Sequence, residues 1–214
     1  MTCAAVERVA KALEELDIEN ARSIVEQAVA DGVPPAAILE EGLIAGMSRI
    51  GEKFRNNEVF LPEVIVAASI WSDAMKSLSP FLASEATLSR GKVVIGTVKG
   101  DIHDIGKNLV KAMLEGEGFS VVDLGVDVTP ERFRDAVVEH KPDVLAISAL
   151  LTTTQAEIPV TIRYLEREGV RRNVKIIVGG APITHSWALS TGADGWAPDA
   201  RTAVDAVRAL LGKP

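Results

Sequence analysis

The chain has 214 residues, 47% of them hydrophobic and 25% charged, with a formal net charge of −7. That is enough apolar material for one large core or two small ones, and the acidic balance lacks the basic stripe that a nucleic-acid partner demands. No apolar run approaches the ~18 residues of a membrane span, the start Met1-Thr2-Cys3-Ala4 lacks a basic segment followed by an apolar core, and the single Cys3 can form neither an internal disulfide nor a CxxC site.

A cytoplasmic protein without membrane or nucleic-acid partners is therefore expected. From Val6 to Leu82 the apolar spacing is helical. Val6, Val9, Ala10, Leu13 and Leu16 define a first helix, and Asp17 is placed to cap a second one carrying Ala21, Ile24, Val25, Ala28 and Val29. Gly32 would end it, and Pro34-Pro35 suit the first turn of a third helix with Leu39, Leu43, Met47, Ile50 and Phe54 inward. A fourth begins near Leu61-Pro62, with Val64, Ala68, Trp71, Met75 and Leu78 on one side. Four helices on short loops predict a bundle over 1–84.

The small and polar residues at 85–91 predict a linker. Over 92–214 five apolar runs, Val93 to Val98, Phe119 to Leu124, Asp143 to Ser148, Lys175 to Val178 and Asp194 to Ala197, are each followed by a loop and a helical pattern. Such runs are parallel strands covered on both faces, which predicts a flavodoxin-like, Rossmann-like doubly wound sheet of order 2-1-3-4-5. The fold class is thus a helical bundle followed by an α/β unit.

Ligands of such sheets sit at the carboxyl ends of the strands. The first of those loops carries Asp101-Ile102-His103-Asp104-Ile105-Gly106, in which a histidine two residues from a carboxylate suits a metal ligand with one ring nitrogen outward. The same residues also suit a plain loop, with Asp101 capping the next helix and His103 solvated. The third loop has Ser148-Ala149-Leu150 followed by Thr152, Thr153 and Thr154, and the fourth has Gly179-Gly180. Small residues at adjacent strand mouths leave a channel open into the unit. Asp104 and Lys107 read as helix-start and surface residues that could also touch a bound ligand, His140 as a surface residue, and His185 as the start of a later helix that could also approach such a ligand.

These three motifs, DxHxxG, SxL and GG in that order and spacing, resemble those of the cobalamin-binding domains of methionine synthase and of the corrinoid proteins of methyltransferase systems. Gly46-Met47-Ser48-Arg49-Ile50-Gly51-Glu52-Lys53-Phe54 and Phe60-Leu61-Pro62-Glu63-Val64 are similar to the helical cap of that family, so the likeness covers nearly the whole chain. It implies His103 as the lower axial ligand of cobalt, replacing the cofactor's own base (base-off, His-on). Asp101 would accept a hydrogen bond from His103, and Thr154 would stand where the family usually has a serine hydroxyl. Gly106, Ser148, Leu150, Thr152, Gly179 and Gly180 would contact the cofactor, and Met47, Phe54, Leu61 and Val64 would cover its upper face.

The resemblance also implies a function. The chain would be a methyl-carrying corrinoid subunit, not a complete enzyme, taking a methyl group from a substrate-specific methyltransferase and passing it through methylcobalamin to a second methyltransferase that uses tetrahydrofolate or coenzyme M. A reductive activase would be a third partner. Methylamines, methanol, betaines and aryl methyl ethers are all donors to similar carriers, with aryl methyl ethers the first choice here. The alternative is a cobalamin-dependent sensor or regulator, although Trp71-Ser72-Asp73-Ala74-Met75 lacks the Glu-His pair of light-sensing relatives.

Overall fold

In the computed structural model, which describes residues 2–82 and 90–212, the chain divides into two compact units, Met1–Arg90 with Glu115–Gly118 and Gly91–Leu114 with Phe119–Pro214. Most of the stretch expected as a linker lies outside the described residues.

The first unit is built of α1 (Thr2–Glu14), α2 (Ala21–Ala30), α3 (Pro35–Ala37), a π-helical stretch (Ile38–Ile44), α4 (Ala45–Arg55) and α5 (Leu61–Leu82). The third expected helix is thus a single run whose middle is wound to the wider i→i+5 pattern. Two glycines explain how α1 packs on it. A Cβ on Gly42 would stand 3.0 Å from Val9 Cγ1, and one on Gly46 would stand 2.8 Å from the Ala10 carbonyl oxygen. Along α5 the buried row is Val64, Ala67, Ile70, Trp71, Ala74 and Leu78. Ala68 and Met75 are only partly covered, while Ala67 and Ala74 are fully buried. Gly32 ends α2 at φ +78°, with the Val33 N–H donating to Ala28 O at 3.0 Å in a Schellman turn. Asp17 does not cap α2. Leu16 ends α1 in the left-handed region at φ 59°, so Asp17 falls in the following turn and accepts the Asn20 N–H at 3.2 Å.

The second unit contains β1 (Lys92–Thr97), α6 (Ile105–Gly116), β2 (Ser120–Asp123), α7 (Pro130–His140), β3 (Val144–Ser148), α8 (Glu157–Arg167), β4 (Lys175–Gly179), α9 (His185–Ser190), β5 (Gly195–Ala197) and α10 (Ala200–Leu210). The five strands are parallel in the order β2-β1-β3-β4-β5, which is the expected topology. Register divides the sheet into two different faces. On one, Val94, Leu145, Ile176 and Val178 join Phe133, Ile158 and Ile162 in a closed core, and Gly96 is bare because the Phe133 ring lies 2.9 Å from where its Cβ would be. On the other, the rows Ile95, Ala146, Ile177 and Thr97, Ser148, Gly179, Ala197 run across the sheet. The small residues among them, Ala146, Ser148, Gly179 and Ala197, leave space that bulkier residues would fill. Among the described residues, no helix is long and apolar enough to cross a membrane.

Candidate functional site

After β1 the chain turns sharply before α6, and three main-chain ties fix the turn. The Val98 N–H donates to Ser148 O at 3.0 Å, the Gly100 N–H donates to Asp127 Oδ1 at 2.7 Å, and the Asp127 N–H donates to Asp101 O at 3.0 Å. Gly100 sits at φ +78°, where a side chain would strain the loop. The result is an Asp101 with no solvent exposure.

A buried carboxylate needs partners, and Asp101 has them from two loops. Its Oδ2 accepts Thr154 Oγ1–H at 2.7 Å, the Leu150 N–H at 2.8 Å and the Leu151 N–H at 3.4 Å. Its Oδ1 accepts the His103 N–H at 3.1 Å and lies 2.8 Å from His103 Nδ1. Burial alone would raise the carboxyl's pKa, but the hydrogen bonds from Thr154, Leu150 and His103 outweigh it and hold the group well below the ordinary carboxylate range. Asp101 is therefore an anion at neutral pH and can only accept. Nδ1 of His103 must then carry a proton, so that in the neutral ring the lone pair lies on Nε2, on a side chain that is 45% exposed. Thr97 Oγ1 donates to His103 O at 3.0 Å and pins the main chain as well.

Beside this pair, within the α/β unit, opens a cavity of ≈ 540 Å³ lined by His103, Gly106, Ser148, Leu150, Gly179 and Gly180 among others. Gly180 is held at φ +129°, with the Ala149 carbonyl oxygen occupying the place of a Cβ, while a Cβ on Gly179 would stand 2.8 Å from Ala197 O. Gly106 differs: a Cβ there would meet no protein atom within 4 Å. Its bareness leaves open space and answers to no packing partner. Thr152 is exposed and outside the lining. In the helical unit, Met47 and Val64 are buried and Phe54 and Leu61 are partly exposed.

The sequence leaves several residues near the site unassigned or places them at the surface. Lys107, expected at the surface, is 3% exposed; its ammonium donates to both Asp123 oxygens at 2.7 Å and to Asn108 Oδ1 at 2.6 Å. Asp123 ends β2, so this pair ties the start of α6 to the neighbouring strand. Asp127 braces the loop of Asp101, and Pro198, Asp199 and Ala203 bring the end of β5 and α10 into the cavity wall. An aspartate at the end of an apolar run was the available signal for Asp123.

One partly exposed imidazole with a carboxylate behind it is an arrangement that could hold a metal through a single ring nitrogen. Among the described residues no cluster of three or more His, Cys, Asp or Glu side chains could hold a metal ion.

Comparison with known proteins agrees with that geometry. The B12 binding domain model matches residues 91–207, and a second model, also described as B12 binding domain, matches 5–79. The trimethylamine corrinoid protein of Methanosarcina barkeri is 42% identical over 208 residues, 96% of each chain. A cobalamin-binding protein from Desulfitobacterium hafniense DCB-2 has a solved structure with 34% identity and a TM-score of 0.72, covering 94% of this chain and 95% of that one. The methanol:cobalamin methyltransferase complex MtaBC from Methanosarcina barkeri contains a chain with 28% identity and a TM-score of 0.88, matched over 99% of this chain and 81% of its own. With family matches over both halves and a relative 42% identical over 96% of the chain, on a five-stranded parallel sheet, the chain belongs to the B12-binding corrinoid proteins of methyltransferase systems.

Proposed function

We propose that the chain is a non-catalytic methyl carrier that holds a cobalamin-type corrinoid base-off and His-on, between a substrate-specific methyltransferase and a second methyltransferase whose acceptor is tetrahydrofolate or coenzyme M. The observation that carries this reading is the Asp101-locked His103, with Nε2 free beside a cavity of ≈ 540 Å³. When bound, the cobalt supplies a nucleophile that takes up a methyl group and gives it away.

The chain's own residues supply orientation and proton control. His103 offers Nε2 to the metal while Asp101 keeps the Nδ1 proton. The buried Asp101 carboxylate would fix the orientation of the ring toward the metal through the Nδ1 hydrogen bond. Thr154 and the Leu150 N–H keep that carboxylate ionised and stationary. Gly106, Ser148, Leu150, Gly179 and Gly180 border the space for the nucleotide tail.

The trimethylamine and dimethylamine corrinoid proteins, each 42% identical to this chain, favour a methylamine donor over the aryl methyl ether expected first. A reductive activase would complete the system, in the cytoplasm. The test is reconstitution: purified protein is loaded with hydroxocobalamin, reduced, and given isotopically labelled trimethylamine with a trimethylamine methyltransferase. Label should move onto the protein-bound corrinoid. No labelling with methylamine, methanol or aryl methyl ether systems would overturn the carrier role.

A further inference from the structure

We infer that the cavity selects its corrinoid by the lower base, favouring a benzimidazole-type base over a purine. The inference rests on the cobalamin reading above and concerns only which corrinoid is retained. The inner wall is one register row of the sheet, Ile95, Ala146 and Ile177, faced by Val110 of α6 and Ala203 of α10. None of these side chains has a polar atom, and Ile95, Ala146, Ile177 and Ala203 are no more than 6% exposed. The main-chain groups of that row are engaged in parallel strand pairing.

Polar lining is confined elsewhere. Asp104 and Asp199 are exposed at the rim, and the Lys107 ammonium is taken by Asp123 and Asn108. The Ser148 hydroxyl has no protein partner among the described residues and can donate to an azole nitrogen. Both base classes possess that nitrogen, so Ser148 does not separate them. The fused six-membered ring does. In a benzimidazole it is a carbocycle that loses nothing on leaving water, whereas in adenine it carries two ring nitrogens and an exocyclic amine that would be buried against aliphatic carbon without partners.

The experiment is competition. Apo-protein is incubated with an equimolar mixture of cobalamin and the corrinoid that carries adenine in place of dimethylbenzimidazole, and the bound fraction is released and separated by chromatography. The benzimidazole form should be enriched about tenfold or more. Recovery in the supplied ratio, or enrichment of the adenine form, overturns the inference while leaving cobalamin binding intact; retention of neither overturns the cobalamin reading and the inference with it. Val110→Thr and Ala203→Ser each add a hydroxyl to the wall and should lower the enrichment several-fold. An unchanged ratio in both variants would overturn the assignment of selectivity to this wall.

Discussion

Asp101 Oδ1 lies 2.8 Å from His103 Nδ1, and the same oxygen accepts the His103 main-chain N–H at 3.1 Å. One buried oxygen thus fixes both the position of the histidine and the tautomer of its ring. The ring can turn little without breaking a charge-assisted hydrogen bond, which is worth about 1.5–3 kcal/mol.

Thr154→Val removes the 2.7 Å hydroxyl bond to Asp101 Oδ2 and leaves the shape nearly intact. Apo-protein stability should fall by about 1.5–3 kcal/mol in denaturant titration, and the loaded protein should show a smaller histidine-ligated fraction in its visible spectrum. Thr154→Ser keeps the hydroxyl and should recover most of both. Equal behaviour of the two variants would remove the hydroxyl from the account.

The glycines of the cavity separate packing from ligand space. Gly180→Ala forces a left-handed residue against the Ala149 carbonyl oxygen, and should destabilise the apo-protein by about 1–3 kcal/mol from backbone strain alone. Gly106→Ala meets no protein atom within 4 Å, so apo stability should hold or rise by up to about 1 kcal/mol. Corrinoid retention should nevertheless drop sharply. Full retention by Gly106→Ala would show that Gly106 does not face the cofactor.

The Lys107–Asp123 pair predicts an acid-sensitive anchor. Burial tends to raise the Asp123 pKa, but hydrogen bonds from Lys107 and the Gly125 N–H lower it below the ordinary carboxylate value. The unfolded chain therefore binds its proton first as pH falls. The pair's stabilisation is present above about pH 4 and is lost as pH drops below that. Asp123→Asn should flatten this part of the stability profile. At neutral pH it should cost about 3–5 kcal/mol, because Lys107 stays buried without its counter-charge. Adding Lys107→Met should recover part of the loss; denaturant midpoints across the pH range check all three.

The fold was legible where periodicity changes. Continuous Val and Ile runs such as Val93 to Val98, each followed by a helical pattern, admit few topologies besides a doubly wound parallel sheet, and the expected order β2-β1-β3-β4-β5 is the one observed. Asp101 and His103 were legible because they are two residues apart on one loop. Thr154 lies 53 residues from Asp101 and is brought to it by the pairing of Thr97 with Ser148, which the sequence suggests only through resemblance. The burial of Lys107 depends on the end of β2, a contact between elements that no local pattern reports. The π-helical stretch was equally hidden, since over the seven residues Ile38–Ile44 its apolar spacing resembles that of an α-helix. Leu16 was read as one more apolar position of α1, although it is the left-handed residue that ends the helix.

Electron paramagnetic resonance of the cobalt(II) protein, prepared from cells fed nitrogen-15 histidine and loaded with natural-abundance cobalamin, tests the ligand directly. If His103 binds the metal, each cobalt line should split into a doublet from the labelled nitrogen, and the splitting should vanish in His103→Ala. Triplets from unlabelled nitrogen would show that the cofactor's own base remains on the metal, and would contradict the account.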